Sequence, residues 1–288
     1  MKRKLAIISN DAGGSELISS WLKHGDYNFD LSLRGPAIKI FKNYFGDFIN
    51  LSLKEAIDNS DLVITGSGWA SNHEFDAIDY AKKNSKMVIT FLDHWVNYEQ
   101  RFIRNGVKVF PDEFWVSDEY AYKIAQKIFP ELKVKLIQNY YIKDLLSEIR
   151  PIDRVKNNNL LYVLEPMRNK WGKHKLGEFQ ALDYFVRVLP KLKLPENIKI
   201  KLRPHPSEKK NKYNNWISKN IKNYNISYDF EKYLANSISK SKWVVGCESF
   251  ALAISVYAKR KVFSSLPPGS HDCRIPLNEI VKIKNFYK

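Results

Sequence analysis

Cysteine is nearly absent: Cys247 and Cys273 are the only two in 288 residues. That supports neither a disulfide framework nor a zinc cluster, and reads as two buried thiols in a reducing compartment. Long apolar runs are missing as well. The start, Met-Lys-Arg-Lys, has the charge of a signal peptide, but the apolar run behind it, Leu5 to Ile8, is far too short for a signal core or a membrane span. The expectation is therefore a cytoplasmic protein. No Arg-rich block and no aromatic RNA-binding motif occurs, so nucleic acid is not an expected partner. Acidic residues are few, 31 against 47 basic ones, which leaves a net charge of +16. An anionic lipid surface or an anionic substrate would account for that charge. So would an AT-rich genome, which yields Lys, Asn and Ile with no binding role.

With 44% hydrophobic and 14% aromatic residues, the chain can build a proper core. Short apolar runs alternate with helical stretches along its whole length. Strands are expected at Lys4 to Ser9, Phe29 to Leu33, Asp61 to Thr65, Met87 to Phe91, Phe114 to Asp118 and Val134 to Ile137. After a polar, turn-rich stretch from Asp153 to Asn159 they resume at Leu160 to Leu164, Lys199 to Arg203, Ile226 to Tyr228, Trp243 to Gly246 and Lys261 to Ser265. The expectation is an α/β fold of two Rossmann-like domains, residues 1–152 and 153–288, facing across a cleft.

Polar constellations fall just after strands, where open α/β sheets bind ligands. Lys199-Ile200-Lys201-Leu202 alternates with a strand's period of two, and Pro204 and Pro206 end it, leaving Arg203 and His205 in a stiff turn. Arg offers a permanent fork of donors suited to phosphate, and His a donor of adjustable charge. A Pro-rich surface loop is the plain alternative. Asn10-Asp11-Ala12-Gly13-Gly14 forms a tight turn before a helix capped near Ser15. It lacks the G-x-G-x-x-G spacing of a dinucleotide site, and Asp11 could simply cap the turn. Gly66-Ser67-Gly68-Trp69 and Leu92-Asp93-His94-Trp95 follow the third and fourth strands, the latter as a site wall or as a packed aromatic loop. Gly246-Cys247-Glu248-Ser249 opens a helix whose amides, dipole and hydroxyl suit an anion, unless Ser249 is an ordinary N-cap. Phe250 and Ala251 stand where a hydrolase elbow needs a second glycine, which discounts that reading. No metal cluster is evident.

Two Rossmann-like halves joined near residue 155 resemble the GT-B glycosyltransferases. More narrowly, Arg203-Pro204-His205-Pro206, then Gly246-Cys247-Glu248-Ser249, then Ser264-Ser265-Leu266-Pro267 resemble bacterial capsule transferases that use CMP-sugars, including sialyltransferases. It implies Asp11 as the base that deprotonates an acceptor hydroxyl and His205 as the donor to the leaving phosphate. It implies Arg203, Pro206, Gly246, Glu248, Ser249, Ser264 and Ser265 around the donor, and Gly13, Gly14, Ser67, Asp93 and His94 on the acceptor or cleft side. The implied reaction is metal-independent transfer of a nonulosonic acid (sialic, pseudaminic or legionaminic type) from CMP to a glycan or lipid-linked acceptor in surface-polysaccharide synthesis. No cofactor is expected beyond that nucleotide-sugar substrate, and the charge would hold the enzyme peripherally on the inner membrane face. A UDP- or CDP-dependent GT-B enzyme, a nucleotide-sugar epimerase, and a basic non-enzymatic nucleic-acid- or membrane-binding protein are the alternatives.

Overall fold

A computed structural model describes residues 3–69, 71–167, 171, 174–205 and 207–287. The chain forms two compact units, Met1–Lys143 and Asp144–Lys288. The division falls ahead of the boundary expected after residue 152, because the chain passes from one unit to the other within a helix, not in the polar stretch that follows it.

Unit one contains β1 (Lys4–Ser9), α1 (Ala12–Lys23), β2 (Asn28–Leu33), α2 (Pro36–Phe45), α3 (Leu53–Asp58), β3 (Leu62–Thr65), α4 (His73–Lys83) and β4 (Met87–Phe91). A small hairpin, β5 (Ile103–Arg104) and β6 (Val107–Lys108), precedes β7 (Glu113–Val116), α5 (Glu119–Ile128) and β8 (Lys133–Leu136). The bridging helix is α6 (Tyr140–Glu148). The main sheet runs β2-β1-β3-β4-β7-β8, every pair parallel. Leu5, Ile7, Ile64, Ile89 and Phe91 from the strands meet Leu17, Ile18, Leu22 and Phe41 from α1 and α2 in one buried cluster.

Unit two contains β9 (Asn159–Val163), α7 (Gly177–Val188), β10 (Lys199–Arg203), α8 (Asn214–Asn220), β11 (Asn225–Tyr228), α9 (Leu234–Ser239), β12 (Trp243–Gly246), α10 (Phe250–Tyr257), β13 (Lys261–Ser264) and β14 (Ile280–Lys282). Its sheet runs β11-β10-β9-β12-β13-β14, again parallel throughout. The alternation expected in β10 is present: Ile200 and Leu202 are buried while Lys199 is exposed. From α7, Leu182, Phe185 and Val188 project onto Leu160, Tyr162, Val245 and Phe263. Their spacing of three is one face of a helix.

Two features depart from the sequence reading. Helix α1 starts at Ala12 with Asp11 as its N-cap, so Gly13 and Gly14 lie in the first turn and Ser15 inside the helix. Ser15 is buried there and bonds the Asp11 carbonyl and the Ser9 hydroxyl. Strand β14 follows Ser265 by way of a long irregular connection that gives no periodic signal. Among the described residues, no helix is long and apolar enough to cross a membrane.

Phe185 is fully buried, its ring 5.2 Å from that of Tyr162. Phe185→Ala is expected to lower the stability of unit two by about 3–5 kcal/mol, the usual cost of emptying an aromatic core site. Urea denaturation followed by circular dichroism measures it.

Candidate functional site

In a parallel sheet, ligand sites form where the strand order reverses, outside the strands' carboxyl ends. In unit one the chain winds from β1 to β2 on one side and to β3 on the other, so the reversal lies between β1 and β3. In unit two it lies between β9 and β12.

At the β1/β3 reversal the loops after both strands are drawn onto Glu74, in the first turn of α4. Its Oε1 accepts the amide N–H of Asn10 at 2.6 Å and of Asp11 at 3.4 Å. Glu74 is buried, and among the described residues its Oε2 has no hydrogen-bond partner. Burial above all, with the neighbouring Asp11 charge, raises its pKa above the ordinary carboxyl value. Asp11 accepts from the Asn10 side-chain amide at 2.7 Å and from the Trp69 amide N–H at 3.3 Å. A side chain at Gly68 would lie 2.5 Å from Asp11 Cγ, and one at Gly13 would lie 2.0 Å from Asp93 Oδ2. These glycines are there for close approach. Asp93 Oδ1 accepts from Arg101 at 2.7 Å and from the Ser67 hydroxyl at 3.1 Å. Asp11, Gly13, Gly14, Ser67 and Asp93 thus form one cluster. His94 continues the wall, its ring 5.3 Å from that of Trp95.

At the β9/β12 reversal a second glutamate takes the corresponding place. Glu165, two residues past β9, turns its carboxylate onto the chain entering α10. It accepts from the Cys247 amide at 2.8 Å and the Glu248 amide at 3.0 Å, with the Ser249 amide also directed at it. The amides expected to cradle a phosphate therefore hold an internal carboxyl group. Burial pushes Glu165 up to about 7, against the pull of those amides toward the charged form. A side chain at Gly246 would lie 2.6 Å from Val163 Cγ2, so glycine allows β12 to close on β9.

The remaining residues of this set divide between scaffold and edge. Ser249 Oγ accepts from the Ala251 amide at 3.2 Å and caps α10. Ser264 donates to the Cys247 carbonyl at 2.6 Å, and Ser265 to the Gly246 carbonyl at 3.1 Å, both buried beneath the loop. Glu248 pairs with His271 Nε2 at 2.9 Å and Arg274 Nε at 3.1 Å. Burial works against its charge, but those two partners hold its carboxyl below the usual range. Arg203 is turned along the sheet to Asp229 at 2.7 Å, the Glu231 carbonyl at 2.8 Å and Ser237 at 2.9 Å. It fixes the loop beyond β11. His205 is exposed past β10, and its Nδ1 accepts the Ser207 amide N–H at 3.2 Å. In the neutral ring the proton then belongs to Nε2, which has no hydrogen-bond partner among the described residues. Pro206 lies outside the described residues. Cys247 is buried and its thiol pushed well above the ordinary value by burial, as for an inert core cysteine.

Glu74, Arg101, Glu165, His271 and Arg274 escaped the sequence reading. Glu165 alone left a signal there, as an acid directly beyond a strand.

No family model matches the chain, and no curated protein matches it in sequence. Solved structures do. UDP-GlcNAc 2-epimerase from Methanocaldococcus jannaschii aligns over 91% of this chain and 83% of its own, at 14% identity and a TM-score of 0.61. A Listeria monocytogenes protein described as a UDP-N-acetylglucosamine 2-epimerase aligns over 92% and 79%, at 12% identity and 0.60. MurG of Acinetobacter baumannii aligns over 94% and 81%, at 11% identity and 0.52. The fold is the two-domain GT-B fold with parallel sheets.

Between the ordinary carboxyl value of 4.5 and about 7, folded protein keeps a proton on Glu165 that unfolded chain has lost. Stability therefore falls as pH rises through that window, by about 3 kcal/mol for this group. Glu165→Gln keeps the acceptor for the amides without the charge, and should flatten that part of the fall. Urea denaturation of both proteins at pH 5 and pH 8 compares them.

Proposed function

We propose that the chain is an enzyme acting on a nucleotide-activated sugar, with the nucleotide held at the carboxyl edge of unit two. The observation that carries this reading is the placement of chemistry at both strand-order reversals of a GT-B fold, each with main-chain amides gathered on a carboxyl group. The M. jannaschii epimerase has also been solved in complex with UDP-GlcNAc and UDP, which favours a UDP-sugar as substrate here.

The chemistry required is cleavage of the bond between the sugar's anomeric carbon and a phosphate oxygen. As that bond breaks the departing phosphate gains charge, and fixed donors stabilise it more than they stabilise the ground state. His205 offers such a donor at Nε2, with the ring oriented through Nδ1 by the Ser207 amide. Glu165, near neutrality, can hold or release a proton at the same sheet edge. Asp11 is the proposed proton acceptor. Arg203, engaged with Asp229, serves to place the turn that carries His205.

A second reading, transfer of a nonulosonic acid from CMP, rests on the likeness of Arg203-Pro204-His205-Pro206 and Gly246-Cys247-Glu248-Ser249 to the capsule transferases.

A thermal-shift panel with UDP, CMP, CDP and GDP separates the two, since a ligand of the native state raises its melting temperature. UDP is expected to give the largest rise; a larger rise with CMP installs the second reading, and no rise with any of them removes both. With UDP-GlcNAc alone, a new sugar epimer seen by NMR marks an epimerase, whereas turnover only with an added acceptor marks a transferase. His205→Ala should lower turnover about 100-fold or more at unchanged melting temperature. Full activity in that variant would remove His205 from the reaction.

A further inference from the structure

The charge is not shared between the units. Residues 1–143 hold 19 Lys and Arg against 18 Asp and Glu, a net of +1; residues 144–288 hold 28 against 13, a net of +15. A compositional drift toward lysine would load two units of equal length alike. Selection on one unit would not.

Within unit two, among the described residues, the larger share of the unpaired lysines lies on one edge. Because every strand is parallel, all the connections entering strands lie at the amino edge and all those leaving lie at the carboxyl edge. At the carboxyl edge, among the described residues, most cations are matched: Arg203 with Asp229, Lys212 with Glu178 and Glu208, Arg274 with Glu248, Lys284 with Asp272 and Lys175 with Asp183, while Lys209, Lys210 and Lys232 are exposed and in no ion pair. At the amino edge the connections into β9, β10, β11 and β13 carry Lys156, Lys193, Lys199, Lys222, Lys259 and Lys261, all exposed. Among the described residues none of these six is in an ion pair. The acids on that edge, Asp153, Glu196 and Glu279, are half as many.

We infer that this amino edge of unit two is a docking surface for an anionic lipid bilayer. Its charges are lysines, compact ammonium groups that suit a diffuse layer of head groups; they are not the guanidinium forks that read bases. Among the described residues, the most exposed aromatics of the unit, Phe230 (89%) and Tyr233 (57%), which could stack nucleobases, lie past β11 at the opposite edge. Beside Lys222 the edge does expose Ile221 (53%), an aliphatic side chain fit to enter a head-group layer. Near an anionic leaflet each lysine is worth about a fivefold factor in binding, so six acting together hold a protein that one would not. The ligand edge remains free while the amino edge is engaged. This inference stands on charge placement and does not depend on which nucleotide sugar is used.

The test is sedimentation of the full chain with phosphatidylcholine vesicles containing one third phosphatidylglycerol, beside pure phosphatidylcholine vesicles. Binding is expected only to the anionic vesicles and should weaken as salt screens it. The fourfold variant Lys156→Glu, Lys193→Glu, Lys199→Glu, Lys222→Glu should lose at least about 100-fold in affinity, at unchanged circular dichroism and unchanged melting-temperature response to nucleotide. The control Lys209→Glu, Lys210→Glu, at the carboxyl edge, should keep more than half of the binding. Equal loss in the control, no binding to either vesicle, or tighter binding to duplex DNA than to vesicles at the same salt would each overturn the inference.

Discussion

A carboxyl group buried against main-chain amides occurs at each reversal of strand order, and both candidate sites are arranged around it. Where winding changes direction, the loops leaving two adjacent strands diverge, and their N–H groups have no ladder partner. An unpaired buried donor costs about 1–3 kcal/mol, so something must accept from it. In unit one that acceptor is Glu74 and in unit two Glu165. Each glutamate reaches its amides from a different stretch of chain, and so ties two loops into one surface. The cost is a carboxyl group displaced from water, seen in the upward shift of both residues.

The glycines follow from the same crowding. Gly13 and Gly68 have ordinary negative φ values, yet a side chain at either would meet Asp93 or Asp11. Gly14 lies against Gly66, where a side chain would come within 3.1 Å of the neighbouring backbone. These residues permit close approach of loop to loop, which brings Asp11, Ser67 and Asp93 together without an intervening side chain. Removing bulk here shapes the site as directly as adding a functional group.

Much of this was legible in sequence, because the relevant signals are local. Alternation at Lys199 to Leu202, short apolar runs and a turn after each strand were enough to place most strands, and with them Asp11, Ser67, Asp93, His205 and Ser249 at carboxyl ends. The partners that define those residues lie far along the chain and were not legible. Glu74 is 64 residues from Asn10, and Glu165 is 82 from Cys247. An acid in the first turn of a helix, as Glu74 is, ordinarily signifies no more than a favourable interaction with the helix dipole. Arg203 shows the converse. Its position suggested a ligand contact, and only the fold reveals Asp229 and Ser237 as its partners. Helix α6 went unread although Ile142, Leu145, Leu146 and Ile149 keep helical spacing; strand β14, three residues long, is too short to announce itself.

Parallel topology gives one sheet two chemically different edges, and unit two uses both. Strands that all point one way send every departing loop to one side, where the polar residues of the strand-order reversal gather and several of their charges are paired. The opposite side receives only entering loops, which do no chemistry and are free to vary. Charge placed on that side lies about a strand's length from Glu165 and Glu248, and salt screens interactions through water over about 8–10 Å. A five-residue strand spans about 16 Å. A net charge of +15 can therefore be carried by a unit in which Arg203 and Glu248, nearest the strand-order reversal, are paired, while most of the unpaired lysines among the described residues lie at the amino side. On the readings proposed above, the fold itself separates attraction to a surface from recognition of a substrate.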